Sequence, residues 1–278
     1  MRIGLSLGGG GALGYAHIGT IRALEKADIP IDIINGSSMG AIIGGAYALH
    51  ADSDHIVSIV QEVVHSIDTS YFNIYRYWSQ SRPFLRNWFA NAICDISALR
   101  ISALSHKVNL KALEMVFGET EFGDAQIPFS CVAVDLLAGE IVEIDEGKMI
   151  DGVLPSIAIP GIFPPVEWEG KVLVDGGVLA DVPVRELRQR GADFIIGIKL
   201  GVEMDMGDRN GFGIISQIEA MKEDKLSQWE LEEADFHMRV DVPDLNIMSF
   251  DSYESAIARG YEVARKALPE LQRTLADA

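Results

Sequence analysis

The chain has 278 residues, 48% of them hydrophobic, a mean hydropathy of +0.16, a formal charge of −18 and a pI near 4.6. That length and apolar content suit one large α/β domain, or one domain carrying an insertion. The acidity argues against a nucleic-acid partner, since neutralising phosphates takes clustered Lys and Arg, and against electrostatic attachment to anionic lipid, so any membrane contact has to be apolar and local.

In chain order, Ile3-Gly4-Leu5-Ser6-Leu7 reads as a first core strand running straight into Gly8-Gly9-Gly10-Gly11-Ala12-Leu13-Gly14. Such a loop offers consecutive backbone N–H groups at the start of a helix, where negative charge is favoured. Residues 15–26 have helical spacing, with Ile18, Ile21 and Leu24 on one side. Nothing ahead of the first strand reads as a signal peptide, and no apolar run is long enough for a transmembrane helix. The expected location is the cytoplasm, with transient contact to a membrane surface left open.

Ile29-Pro30-Ile31-Asp32-Ile33-Ile34 reads as a short buried strand, and residues 41–49 as a helix with small residues on one side. Between them, Gly36-Ser37-Ser38-Met39-Gly40 fits G-x-S-x-G, in which a serine sits on a tight strand-to-helix turn with its hydroxyl exposed. Ser38 is the candidate nucleophile, and the glycine loop is the place for the oxyanion that its attack would create. The simpler reading is a plain strand-to-helix turn with Ser38 as an N-cap. A dinucleotide site competes as well, because Gly9-x-Gly11-x-x-Gly14 follows a strand and Asp32 lies about 20 residues on. Asp32 falls near the start of its strand, however, whereas a ribose-binding acid belongs at the end.

Residues 68–110 are the compositional outlier. Tyr71, Phe72, Tyr75, Tyr77, Trp78, Phe84, Trp88 and Phe89 crowd there, interleaved with Arg76, Arg82 and Arg86. They read either as a lid or acyl-chain wall touching lipid, or as a helical insertion with a buried aromatic face. Cys94 and Cys131 show no metal or redox spacing and read as buried thiols.

Residues 129–135 and 140–144 read as two strands joined by a turn containing Gly139, and residues 171–174 as another that ends at Asp175-Gly176-Gly177. Residues 194–198 form a buried strand in this reading, and 237–242 a strand with one wet face. Residues 214–233 and 252–275 read as helices, the first with an acidic end (Glu230, Glu232, Glu233) expected to face solvent.

A serine needs a base to take its proton. The six histidines are His17, His50, His55, His65, His106 and His237, and none lies in a loop after a late core strand. His17 reads as a packing residue near the glycine loop, and His50 and His55 as surface positions. Asp175 is the better candidate, because it ends an apolar strand at a Gly-Gly turn where backbone can approach closely. It would have to be desolvated to act as a base near neutral pH. On the residues alone, a turn aspartate capping Gly177 remains the simpler reading.

Gly9-Gly10-Gly11-Ala12-Leu13-Gly14, Gly36-Ser37-Ser38-Met39-Gly40 and Asp175-Gly176-Gly177 together resemble, in order, the oxyanion loop, nucleophile elbow and catalytic-aspartate motif of patatin-like phospholipases. The chain looks most like the small bacterial members, related to the neuropathy target esterase catalytic domain. Ala16-His17-Ile18-Gly19, the segment 158–165 and the segment 178–183 resemble the family too, and the likeness runs from residue 3 to about 200. It implies a three-layer α/β/α sandwich with a mainly parallel central sheet, a single domain over 1–278, and a helical lid or insertion at about 68–110. It implies hydrolysis of lipid acyl esters by a Ser38–Asp175 dyad without histidine. The N–H groups of Gly9, Gly10 and Gly11 would form the oxyanion hole, with no metal or organic cofactor. Leu13 departs from the family, which often has Arg or Lys there, and this weakens the inference of a charged phospholipid substrate. Acyl transfer through the same acyl-enzyme, or a non-catalytic acyl-binding module, are the alternatives. A homodimer through exposed apolar helices is compatible with the sequence.

Overall fold

The computed structural model describes residues 1–66, 102, 105–201, 211–243 and 245–278. The aromatic crowd and Cys94 lie outside them. Eight strands form one sheet: β1 (Ile3–Leu7), β2 (Ile33–Gly36), β3 (Phe129–Asp135), β4 (Glu140–Ile144), β5 (Val166–Trp168), β6 (Lys171–Asp175), β7 (Phe194–Gly201) and β8 (Phe236–Asp241). β3, β2, β1, β7 and β8 run parallel, while β4 and β6 lie antiparallel to β3, and β5 antiparallel to β6.

The period-2 pattern of the strands splits the interior into two cores. Ile3, Leu5 and Leu7, with Ile34, Phe194, Ile196 and Ile198, point into the larger one. It is closed by α1 (Ala16–Lys26), α2 (Met39–His50), α3 (Ser53–Ser66), α4 (Lys107–Phe117), α5 (Met149–Ser156) and α8 (Tyr253–Asp277). Ile33 and Ile195 point the other way, into a smaller core closed by α6 (Val184–Gln189) and the end of α7 (Gly211–Leu231). The result is the expected α/β/α layering. Parallel strands buried on both faces read as continuous apolar runs, which explains why β1, β3 and β7 stand out in the sequence.

β2 starts at Ile33, later than its apolar run suggests. Pro30 has no N–H to give, and Asp32 turns its carboxylate back to accept the N–H of Ile3 at 2.7 Å. β8 alternates as expected, with Phe236, Met238 and Val240 buried and His237, Arg239 and Asp241 exposed. Cys131 is a buried free thiol, as anticipated. Among the described residues no helix is long and apolar enough to cross a membrane.

α1 and α8 pack at backbone contact. A Cβ on Gly260 would overlap the carbonyl oxygen of Ala16, and one on Gly19 would overlap that of Ile257. Neither obstacle is a flexible side chain, so the helices would have to separate. Gly260→Ala is therefore expected to cost about 2 kcal/mol and to lower Tm by about 4–8 °C in thermal unfolding.

Candidate active site

The site is assembled by β3. Cys131 is paired with Gly36 of β2 and with Ile144 of β4, and Ala133 with Asp175 of β6 and with Val142 of β4. A strand has only two edges, and β4 fills one of them. β2 and β6 therefore share the other, approaching end to end from opposite directions. The C-terminus of β2 leads into the serine turn, and the C-terminus of β6 is Asp175. Two segments almost 140 residues apart in sequence meet two residues apart on the same strand.

Ser38 has φ 52° and ψ −122°, a conformation that a side-chain-bearing residue adopts only under strain. The turn is possible because its flanks are glycine. A Cβ on Gly36 would overlap the backbone of Gly40, and one on Gly40 would overlap the Leu7 carbonyl. Ser38 heads α2 without capping it by its side chain, so its hydroxyl is not spent on the helix. Its N–H donates to Ser156 Oγ at 3.1 Å, and two residues further on the carbonyl of Ala158 accepts the N–H of Asp175 at 3.0 Å. The C-terminal end of α5 and the residues just past it thus brace the serine turn and the aspartate together. Ser156 carried no motif of its own in the sequence.

Asp175 is almost fully buried. Its Oδ1 accepts the N–H of Gly177 at 2.8 Å, the capping bond that an Asp-Gly turn suggests. Its Oδ2 is buried and has no hydrogen bond of good geometry among the described residues, although Ser38 is near enough to favour the charged form. Burial dominates and pushes the carboxyl up to about 7, against the pull of the Gly177 and Ser38 donors. The same carboxylate thus caps the Asp-Gly turn and lies desolvated beside Ser38.

The glycine loop lies against the serine turn: a Cβ on Gly9 would stand 3.2 Å from that of Ser38. Its donors divide sharply. Gly8 N–H is taken by the Ile198 carbonyl and Ala12 N–H by that of Ile247. Gly9 N–H donates to Asp181 Oδ1 at 2.9 Å, so it is already engaged. The N–H groups of Gly10 and Gly11 have no acceptor among the described residues. Gly10 has φ 137°, which only glycine adopts readily, and this turns the loop.

His17 lies buried beneath the loop, where its Nε2–H donates to the Gly8 carbonyl at 2.8 Å. Burial lowers it to about 4, so the ring is neutral and fixes the loop. Leu13 is buried in the larger core, which gives its departure from a basic residue a packing cause.

Asp181 is the residue that sequence reasoning passed over. It is buried, and its second oxygen accepts the Ser227 hydroxyl of α7 at 2.9 Å. Glu230, expected to face water, is instead buried and accepts the N–H of Val182 at 3.1 Å, while Glu232 and Glu233 are exposed. Burial raises Glu230 to about 8. Burial, helped by the nearby Asp181 and Asp175, raises Glu223 as well. Both shifts favour the neutral carboxyl, which limits the negative charge around Asp175. Among the described residues no group of three or more His, Cys, Asp or Glu is arranged to hold a metal.

A family model described as patatin-like phospholipase matches residues 5–188, a span that takes in Ser38, Asp175 and Asp181. The chain belongs to the patatin-like phospholipase family. An uncharacterised NTE family protein of Mycobacterium tuberculosis is 35% identical over 202 residues, covering 72% of this chain and 49% of its own. Lysophospholipase nte1 of Neurospora crassa is 27% identical over 298 residues, covering 97% of this chain and 18% of its own. The chain therefore spans about half the length of the mycobacterial relative and under a fifth of the fungal one. VipD from Legionella pneumophila shares the fold, with a TM-score of 0.55 over 97% of this chain and 67% of VipD at 18% identity.

Two outcomes follow for this patatin-like site. Asp175 has its carboxyl raised in the fold, so the cost of ionising it is absent below about pH 4, grows up to pH 7 and is full above that. Asp175→Asn, which keeps an acceptor for Gly177, is expected to raise Tm at pH 8, with the gain vanishing towards pH 4 in a series of thermal melts. Asp181→Ala strands the Gly9 N–H, while the Ser227 hydroxyl keeps the Glu223 carbonyl at 2.7 Å, and the change is expected to cost about 1–3 kcal/mol of stability in urea unfolding.

Proposed function

We propose that this protein is a serine hydrolase of lipid acyl esters, working through a Ser38–Asp175 dyad and an acyl-enzyme. The observation that carries the reading is the meeting of a strained serine with a buried aspartate whose carboxyl is pushed up to about 7. An ordinary aspartate is too weak a base at neutral pH, whereas one titrating near 7 is matched to the task. No histidine is needed between them.

In this reading Asp175 takes the hydroxyl proton as Ser38 Oγ adds to the ester carbonyl. The oxyanion is received by the free N–H groups of Gly10 and Gly11, while Gly9, bonded to Asp181, holds the loop in place. Donors fixed in advance where charge appears are worth about 3 kcal/mol each. Collapse expels the alcohol, which takes the proton back from Asp175. Water, deprotonated by the same carboxylate, then releases the fatty acid and restores Ser38.

The substrate class is supported by the family and by the lysophospholipase name of the fungal relatives. Because Leu13 is buried, the loop has no cation at that position for a phosphate, which favours selection by the acyl chain over the head group.

The test is hydrolysis of esters and lysophospholipids of increasing acyl length. Ser38→Ala and Asp175→Ala are each expected to lower kcat/KM by at least about a thousandfold with the fold intact. For the unsubstituted protein, kcat/KM should rise with pH with a midpoint of about 7, since the base works only when ionised and activity is lost as pH falls through that value. Equal rates for the protein and both variants on every ester would rule the reading out.

A further inference from the structure

Helix α7 is inverted relative to an ordinary surface helix, which turns its apolar stripe inward. Apart from Leu231, which enters the smaller core at its end, its described inward contacts are polar. Ser227 bonds Asp181, Glu230 accepts the Val182 N–H, and Asp224 pairs with the buried Lys199 at 3.0 Å. Its outer side carries Ile214, Ile215, Ile218, Met221 and Trp229, each between 49% and 60% exposed. At 3.6 residues per turn these five fall within an arc of about 120°. The charged residues inside that arc are Lys222 and Lys225, and Glu219, paired with Lys222 at 2.9 Å, stands at its margin.

We propose that this face of α7 is the surface by which the protein rests on a zwitterionic phospholipid interface. The proposal builds on the lipid-hydrolase reading above. An exposed apolar face with lysines among its large side chains suits the boundary between acyl chains and phosphates, where lysine stems lie along the apolar layer and their ammonium groups reach the phosphates. Trp229 is of the kind that favours that depth. In a chain of charge −18 the carboxylates of this helix are turned inward or to its margin, leaving the cations outward. The same net charge opposes both self-association and attraction to anionic lipid, so the fitting surface is zwitterionic and the driving force is apolar insertion. The face is also coupled to the site, since Ser227 on the opposite side of the helix holds the aspartate that fixes Gly9. Docking through α7 would set the glycine loop one helix thickness from the lipid.

The test is flotation with phosphatidylcholine vesicles, using Ser38→Ala so that no lipid is consumed. Binding is expected to persist from low to high salt. Adding Ile215→Glu and Ile218→Glu is expected to weaken it at least tenfold, with circular dichroism unchanged. Should that pair disturb the fold, Ile218→Ser is expected to weaken binding by a smaller but measurable factor. Equal flotation of all the variants, or none by the parent, overturns the proposal. So does sedimentation showing a parent dimer that the glutamates split, which would assign the face to a second copy. Turnover of a monomeric, water-soluble ester by the Ser38 protein is followed separately: its absence alongside normal flotation would count against the hydrolase reading and leave the docking face standing.

Discussion

The architecture of the site depends on the sharing of one edge of β3 by two strands that meet end to end. β2 runs parallel to β3 and stops at Gly36, opposite Cys131; β6 runs antiparallel and stops at Asp175, opposite Ala133. Backbone hydrogen bonding fixes both registers, and a slip of one residue would turn every side chain of the slipping strand to the other face. The separation of Ser38 and Asp175 is therefore set by the sheet and not by a flexible loop. The C-terminal end of α5 and the residues just past it add a second constraint, since Ser156 and Ala158 bond the two ends at once.

The same geometry obliges the aspartate to be buried. A carboxylate between two strand ends, with one oxygen on Gly177 and the other without a well-formed partner, is disfavoured in its charged form. Folding bears that cost so that the proton affinity of Asp175 matches neutral pH. The strain at Ser38 is of the same kind, about 1–3 kcal/mol held in place by surrounding structure. Around the site the polar groups are satisfied in sequence: α7 holds Asp181 through Ser227, Asp181 holds Gly9, and His17 holds Gly8. Among the described residues the N–H groups of Gly10 and Gly11 have no acceptor. The buried Ser37 Oγ and His17 Nδ1 are likewise without a hydrogen-bond partner among the described residues.

The parts legible in sequence were those written in local pattern. β1, β3 and β7 are apolar runs, β8 alternates, and the two glycine motifs sit where strand gives way to helix. The parts that were not legible are long-range. Nothing near Asp181 announces that it meets Gly9 across 172 positions and Ser227 across 46. Glu230 looks like one of three acids at a wet helix end, and only the packing of α7 shows it turned inward. Likewise α3, α4, α5, α6 and the short β5 were passed over, although α3 and α4 carry a helical apolar stripe with Ile56 and Val60, and Leu113 and Phe117, turned to the core. Ser156 lies in α5 and was missed with it.

The most direct test of the dyad is covalent labelling by a fluorophosphonate, which reacts fastest with a serine whose proton is being removed. The geometry requires that the adduct, mapped by peptide mass spectrometry, lie on Ser38. Its rate of formation should rise with pH through a midpoint of about 7 and fall steeply in Asp175→Asn. An adduct on another residue, or labelling of Ser38 at a rate indifferent to Asp175, would contradict the pairing of these two side chains as nucleophile and base.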